Sequence, residues 1–274
     1  MINYIYDGTF EGLLTVIGEA VQHQESVNDI SSGGEMQIDL FADIKEVRTD
    51  PELAAGVFKR LRKTISREML MDIAYCFLSE EQGIEKAILD YIRLLFTAGP
   101  GVTGNFLDET VYKIERVSGK VAHEIDRLHG FIRFRKLAGG IYYAPIEPDH
   151  NVVQFLAPHF KARFADQNWL IHDLKRKTGI YYDGKQCVFL PEMEAVPELT
   201  PGNTRMNSLS GVSSTFTPDK VSNLLDKDEL AFQHLWDQYF KQIAIKERRN
   251  KRLQRQRMPA RYWRCLVEAV SEDN

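Results

Sequence analysis

From Pro51 to about His129 large apolar residues recur at helical spacing, and this pattern limits the fold more than any other feature of the chain. Leu53, Val57 and Leu61 share one face, as do Leu70, Ile73 and Phe77, then Ile84, Ile88, Ile92 and Leu95. After the break at Ala98-Gly-Pro-Gly101, a helix opening at Asp108 carries Val111, Ile114, Val117, Val121 and Ile125. One apolar stripe per segment predicts helices packed together by those stripes. Ahead of them, Tyr4 to Tyr6 is strand-like, Asp7-Gly8-Thr9 supplies a turn and a cap, and Phe10, Leu13, Leu14, Ile17 and Ala20 mark a helix. Ser31 to Glu35 reads as a Ser/Gly loop and Gln37 to Arg48 as a second extended segment, with Pro51 suited to the first turn of the next helix.

The period changes after His129. Phe131-Ile-Arg-Phe-Arg135 alternates as a strand would, with Phe131, Arg133 and Arg135 on one face and Ile132 and Phe134 on the other. Gly139-Gly140 is a hairpin turn and Ile141 to Ile146 returns. Val152 to Phe164 then predicts a helix, Trp169 to Asp173 a strand, and Gly179–Tyr182 with Cys187–Leu190 a second hairpin. The expected class is α+β. A strand-helix-strand and helical N-terminal region spans 1–130, a ββαββ-like unit 131–190, a Pro- and Ser/Thr-rich flexible linker 191–218, and a basic helical region 219–274. In the last of these, Leu230, Leu235, Tyr239 and Phe240 give an apolar stripe.

Charge is distributed unevenly. Of 35 Lys and Arg and 39 Asp and Glu, ten basic residues and one acid fall between Lys241 and Arg264, a net +9, which leaves 25 basic and 38 acidic residues and a net −13 elsewhere. A compact cationic segment on an anionic body suits a polyanion, because each neutralised phosphate releases condensed counterions. The same segment could instead fold back onto its own acidic body. Cys76, Cys187 and Cys265 are far apart with no CxxC pair, so neither a zinc knuckle nor an iron–sulfur site is spelled out by spacing. The start lacks the basic and apolar regions of a signal peptide and no window approaches 18 uninterrupted apolar residues, so the expected location is the cytoplasm, without membrane attachment.

Phosphate-cradle, nucleophile-elbow and zinc-protease signatures are absent, and the Gly-rich stretches read as turns. One polar set could hold chemistry: His123, Asp126, Arg127, His129, His159, Arg163, His172 and Asp173. His123 and Arg127 share a helix face, whereas neighbours His172 and Asp173 on a strand point oppositely and do not suit one metal, so no metal site is expected. Imidazole and carboxylate beside Arg serve acid–base work and structural pairing alike. A second set is basic and aromatic. Arg133, Arg135 and Arg176 accompany Phe131, Phe134, Phe160, Trp169 and Tyr181, a mixture able to hold phosphate and stack bases, or to form a core with a solvated face. Arg248, Arg252, Arg255 and Gln256 add groups that contact phosphates or base edges, while Arg261 and Tyr262, next to Trp263, suit either nucleic acid or a cap onto the body.

The chain resembles a bacterial family of probable DNA-metabolism proteins. The stretches that carry the likeness are Tyr6-Asp-Gly-Thr-Phe-Glu-Gly-Leu13, Val121-Ala-His-Glu-Ile-Asp-Arg-Leu-His-Gly-Phe-Ile-Arg-Phe134, Ala157-Pro-His-Phe-Lys-Ala-Arg-Phe164, Trp169-Leu-Ile-His-Asp173, Leu235-Trp-Asp-Gln-Tyr-Phe240, Asn250 to Gln256, and Met258-Pro-Ala-Arg-Tyr-Trp263. Members are typically encoded beside a radical-SAM protein of DNA modification or repair, and some are fused to a uracil-DNA-glycosylase-like domain. The resemblance thus implies DNA, a radical-SAM protein and a glycosylase-like protein as partners. It implies no catalytic residue. The expected function is an accessory that presents DNA to such a partner, which would itself hold the [4Fe–4S] cluster and SAM, since the CxxxCxxC spacing is missing here. The alternative is an enzyme acting on nucleic acid through its His/Asp/Arg set.

Overall fold

The structure is a computed structural model. It describes residues 1–32, 43–99, 101, 104–193, 224–243 and 250–266, without the side chains of Asp237, Phe240, Lys241, Ile243, Lys251, Gln254 and Arg255. The chain forms two compact units, Met1–His123 and Glu124–Asn274.

In the first unit, β1 (Ile2–Ile5) lies between β2 (Val27–Ser31) and β3 (Asp43–Glu46), both parallel to it. β1 leads into α1 (Phe10–Gln22) through a turn fixed by side chains. Asp7 Oδ1 accepts from Thr9 N (2.9 Å) and Thr9 Oγ1 (2.7 Å), and Thr9 Oγ1 accepts from Gly12 N, which satisfies a backbone N–H left open at the helix start. Thr49 Oγ1 donates to Asp7 Oδ2 at 2.6 Å. A Cβ on Gly12 would lie 2.2 Å from Asp7 Oδ1, so any larger residue there would displace the Asp7 carboxylate from these bonds. The Asp7 to Gly12 part of the first family-like stretch is therefore the joint between strand and helix.

The expected helices follow as α2 (Pro51–Thr64), α3 (Arg67–Leu78), α4 (Ile84–Ala98) and α5 (Glu109–Phe131). Asp50, Ser66 and Asp108 cap three of them. Their stripes bury Leu61, Ile73, Ile88, Ile92, Leu95, Val111, Ile114 and Val117 in one core with Tyr4, Leu13 and Ile17. Each such side chain contributes about 1.5–3 kcal/mol.

Two expectations need correction. Ser31, the first residue of the expected Ser/Gly loop, instead ends a strand, Val27–Ser31, that the pattern did not mark. Phe131-Ile-Arg-Phe-Arg135 is not a strand: α5 runs to Phe131 and only Arg135–Lys136 pairs. The helical face wins because Ile125, Leu128 and Ile132 continue the buried stripe, and Ile132 N still bonds Leu128 O at 3.1 Å.

The second unit holds a five-stranded sheet in the order β4 (Arg135–Lys136), β5 (Tyr142–Ile146), β6 (Trp169–Asp173), β7 (Thr178–Tyr182), β8 (Cys187–Leu190). Only β5 and β6 are parallel, joined by the crossover helix α6 (Val153–Arg163). α6 buries Val153, Leu156, Ala157 and Phe160, and Phe160 meets Phe134 and Trp169 edge-on. A further core cluster contains Tyr143, Leu170, Tyr181 and Met193. Gly179 permits this packing, since a Cβ there would sit 2.8 Å from Met193 Sδ.

Together the two units are α+β, as expected. Of the expected linker only Pro191–Met193 is described; the rest lies outside the described residues. Leu224 to Asp226 then docks along β4, with Ala138 N bonded to Leu224 O and Asp226 N to Lys136 O. It leads into α7 (Glu229–Ile243); α8 (Lys251–Arg257) and a 3-10 helix (Ala260–Cys265) complete the described chain.

Candidate functional site

The strand alternation puts His172 and Asp173 on opposite faces, and the fold uses both internally. His172 is buried, with Nε2 3.1 Å from Met193 O and Nδ1 3.0 Å from Tyr143 Oη. A carbonyl only accepts, so Nε2 carries the proton and Nδ1 accepts from the tyrosine. Burial lowers the His172 pKa to about 4 against the opposing effect of the Met193 bond, which keeps the ring neutral. Asp173 is fully buried and closes the turn after β6: Oδ1 accepts from Lys175 N and Arg176 N, and Oδ2 from Arg176 Nη1 at 3.1 Å. Arg176 also donates to the carbonyls of Pro148 and Asp149. These three residues brace the sheet.

The other candidates lie apart from that pair in role. His123, Arg127 and Arg163 are exposed. His159, exposed on α6, stacks on His129 with centroids 4.1 Å apart and planes at 16°. Burial and the neighbouring His159 lower the His129 pKa. Among the described residues no group of three or more His, Cys, Asp or Glu is placed to hold a metal ion, and the three cysteines are free thiols.

Sequence reasoning missed a buried network around Glu124. This carboxylate is 3% exposed and accepts from Asp149 N (2.8 Å), His150 N (2.9 Å), His150 Nδ1 (2.5 Å) and the Tyr262 hydroxyl. Burial alone would raise its pKa, but the bonds from His150, Tyr262 and the two backbone N–H groups outweigh it and bring it to about 2. Tyr262 is itself buried, tilted against Phe131 with ring centroids 5.7 Å apart. Arg261 stays exposed but pairs with Asp149 at 2.5 Å, and Arg135 Nη2 donates to Cys265 O at 3.4 Å. Glu124, Tyr262 and Arg135 thus anchor the 3-10 helix. The signal in the sequence was an acid at a stripe position, three after Val121 and four before Leu128.

Upstream of that anchor, α8 presents Arg252, Gln256 and Arg257 to solvent. Asn250 caps it, its Oδ1 accepting from Leu253 N at 3.0 Å. Arg248 and the side chain of Arg255 lie outside the described residues.

α7 forms the wall of a cleft of about 770 Å³ lined by Arg133, Phe134, Glu229, Phe232, Gln233, Leu235, Trp236 and Tyr239. Phe232, Leu235, Trp236 and Tyr239 follow i, i+3, i+4, i+7, the spacing of a packing face, yet are 63, 60, 41 and 54% exposed. The rings of Trp236 and Tyr239 lie 5.7 Å apart at 30°. Arg133 sits 5.9 Å over the Trp236 ring and donates from Nη1 to Gly130 O at the end of α5. Glu229, the one acid among the described lining residues, is buried and accepts from Lys136 N (3.0 Å) and Gln233 Nε2 (2.9 Å). The expected stripe of Leu230, Leu235, Tyr239 and Phe240 had omitted Phe232 and Trp236, and the side chain of Phe240 lies outside the described residues.

No described helix is long and apolar enough to cross a membrane. A family model described as a domain of unknown function, DUF4130, matches residues 82–268. No curated protein matches the chain.

Proposed function

Because the chain belongs to the DUF4130 family, whose description assigns no activity, we propose from its cationic residues that it binds nucleic acid, and from the resemblance described above that it does so as an accessory protein of DNA modification or repair. The observation that carries this reading is α8: Arg252, Gln256 and Arg257 face solvent on a segment tied down just beyond them by Tyr262 on Glu124 and Arg261 on Asp149. A cationic helix already held in place loses less freedom on binding than a loose tail. Arginines would meet phosphates and Gln256 a phosphate or base edge. The net +9 between Lys241 and Arg264 favours a polyanion in the same way.

The reading is of binding, because His172 and Asp173, the strongest acid–base candidates, are buried and hydrogen-bonded within the fold. Presentation of DNA to a radical-SAM or glycosylase-like partner rests on the family resemblance, and the partner then supplies the cluster, the SAM and the reaction.

Fluorescence anisotropy with single-stranded DNA, duplex DNA and RNA across a salt series tests the proposal. Arg252→Ala with Arg257→Ala should weaken binding and lower the salt slope by about one for each phosphate no longer neutralised. Unchanged affinity and slope in the double variant would remove α8 from the interface.

A further inference from the structure

The cleft beside α7 has a different chemistry from α8, aromatic where α8 is cationic. Four of its lining residues, Phe134, Phe232, Trp236 and Tyr239, are aromatic, and among the described residues Leu235 is the one large aliphatic side chain there. Phe134 is held from behind by Phe160, Phe164 and Trp169, so it forms a fixed floor. Phe232, Trp236 and Tyr239 stand along the rim at steps of about one helical turn. Arg133 lies over Trp236 and is itself held by the end of α5, while the carboxylate of Glu229 is occupied by a backbone N–H and by Gln233.

We propose that this cleft is a base-stacking site for single-stranded nucleic acid, an inference that rests on the nucleic-acid reading above and specifies its substrate. Aromatic side chains hold bases by their faces, which are available only where the bases are unstacked from one another. The spacing gives a second reason. Residues one turn apart along a helix rise by about 5.4 Å, more than the roughly 3.4 Å between successive bases on one strand of a duplex, so a strand that follows Phe232, Trp236 and Tyr239 is opened out. Charge favours a polyanion: among the described lining residues the one cation, Arg133, lies over an aromatic face and the one acid, Glu229, is already hydrogen-bonded, and the sequence that follows from Lys241 to Arg264 carries a net +9. A duplex would offer the rim only its backbone and groove edges. An apolar protein segment would use the same rim but gains nothing from the cationic sequence that follows it.

Tryptophan fluorescence distinguishes these cases. Trp169 is fully buried and Trp263 is partly buried, with Nε1 bonded to Met258 O, so Trp236, at 41%, is the tryptophan most exposed to solvent. With the full chain, a short oligo(dT) strand should quench the emission, and a duplex of matched length should quench it less. Trp236→Ala should lower affinity for the single strand about tenfold or more and leave duplex affinity within about twofold, since each stacked base contributes appreciably to binding. Trp236→Phe keeps a ring face, so it should retain most of the affinity while losing the quenching. Single-strand binding unchanged in Trp236→Ala, or equal losses on both substrates, would overturn the stacking site and leave the nucleic-acid reading standing. An absence of binding to any nucleic acid at low salt, already in the unaltered protein, would overturn both. Unchanged nucleic-acid affinity with loss of a dimer in sedimentation by Trp236→Ala would assign the cleft to contact between copies and overturn the proposal.

Discussion

α6 and α7 are both helices of the second unit with large side chains at helical spacing, and they use those side chains in opposite ways. α6 turns Val153, Leu156 and Phe160 inward, so that its ring contacts become part of the sheet's core. α7 leaves Phe232, Leu235 and Tyr239 more than half exposed along a cleft. Periodicity alone does not distinguish them. What differs is what each helix offers in return for desolvation. The inward face of α6 finds Trp169 and Phe134, whereas the buried positions of α7 include Glu229, which fixes the helix through Lys136 N and Gln233. An apolar face spared from the core by a polar anchor is free to serve recognition.

The contrast breaks most visibly on truncation. Phe160→Ala should destabilise the protein by about 3–5 kcal/mol in chemical denaturation, since a buried ring is removed and a cavity remains. A loss below about 1 kcal/mol would mean that α6 is as loosely held as α7.

Acid offers a second way to sharpen it, because the internal polar groups of the sheet are coupled to folding. His172 has a folded pKa of about 4 against 6.5 for an ordinary imidazole. The unfolded chain therefore takes up this proton first. Its effect is absent above pH 6.5, stability falls as pH drops from 6.5 toward 4, and the total loss from this group is about 3 kcal/mol. His129, also lowered, adds to the same window. His172→Gln should flatten most of the slope between pH 6.5 and 4 in a denaturation series; an unaltered slope would place its origin elsewhere.

Glu124 works in a separate window. Its pKa is depressed from 4.5 to about 2, so the stability it contributes is complete above about pH 4.5 and is lost as pH falls toward 2. Glu124→Gln keeps the shape but weakens bonds made to a charged acceptor, at a cost of about 1–3 kcal/mol. Amide exchange over residues 260–266 should accelerate more than exchange in β6. Uniform acceleration would show that the anchor is an ordinary part of the core and not a local fastening for the cationic segment.

How much of this was legible in the chain depended on the distance over which each contact acts. The helices of the first unit were readable because stripe and cap are local: Asp50 before Pro51 and Asp108 before Val111 announce their own helices. β2 was not, since Val27-Asn-Asp-Ile-Ser31 buries only Val27 and Ile30, a separation of three that does not show the strand period. The alternation in Phe131 to Arg135 imitated a strand because Arg133 and Arg135 break the apolar run, although Ile132 continues the stripe of Leu128. The cationic segment was legible, because charge is additive along the sequence. Its fastening was not. Glu124 and Tyr262 are 138 residues apart, and each looks ordinary until the fold sets one against the other.

The smallest expected effect is the most discriminating. Phe232→Ala and Leu235→Ala should each change stability by no more than about 0.5 kcal/mol, because side chains 63% and 60% exposed leave little buried area to lose. The same substitutions in a core would cost several times that. If either variant instead lost about 2 kcal/mol or more, the face of α7 would be covered in the free protein, and the difference between the two helices would be one of partner rather than of purpose. A near-neutral result in denaturation, combined with weaker binding to oligo(dT), separates recognition from stability on a single helix face. Those two measurements on Phe232→Ala place α7 on one side or the other of the comparison with α6.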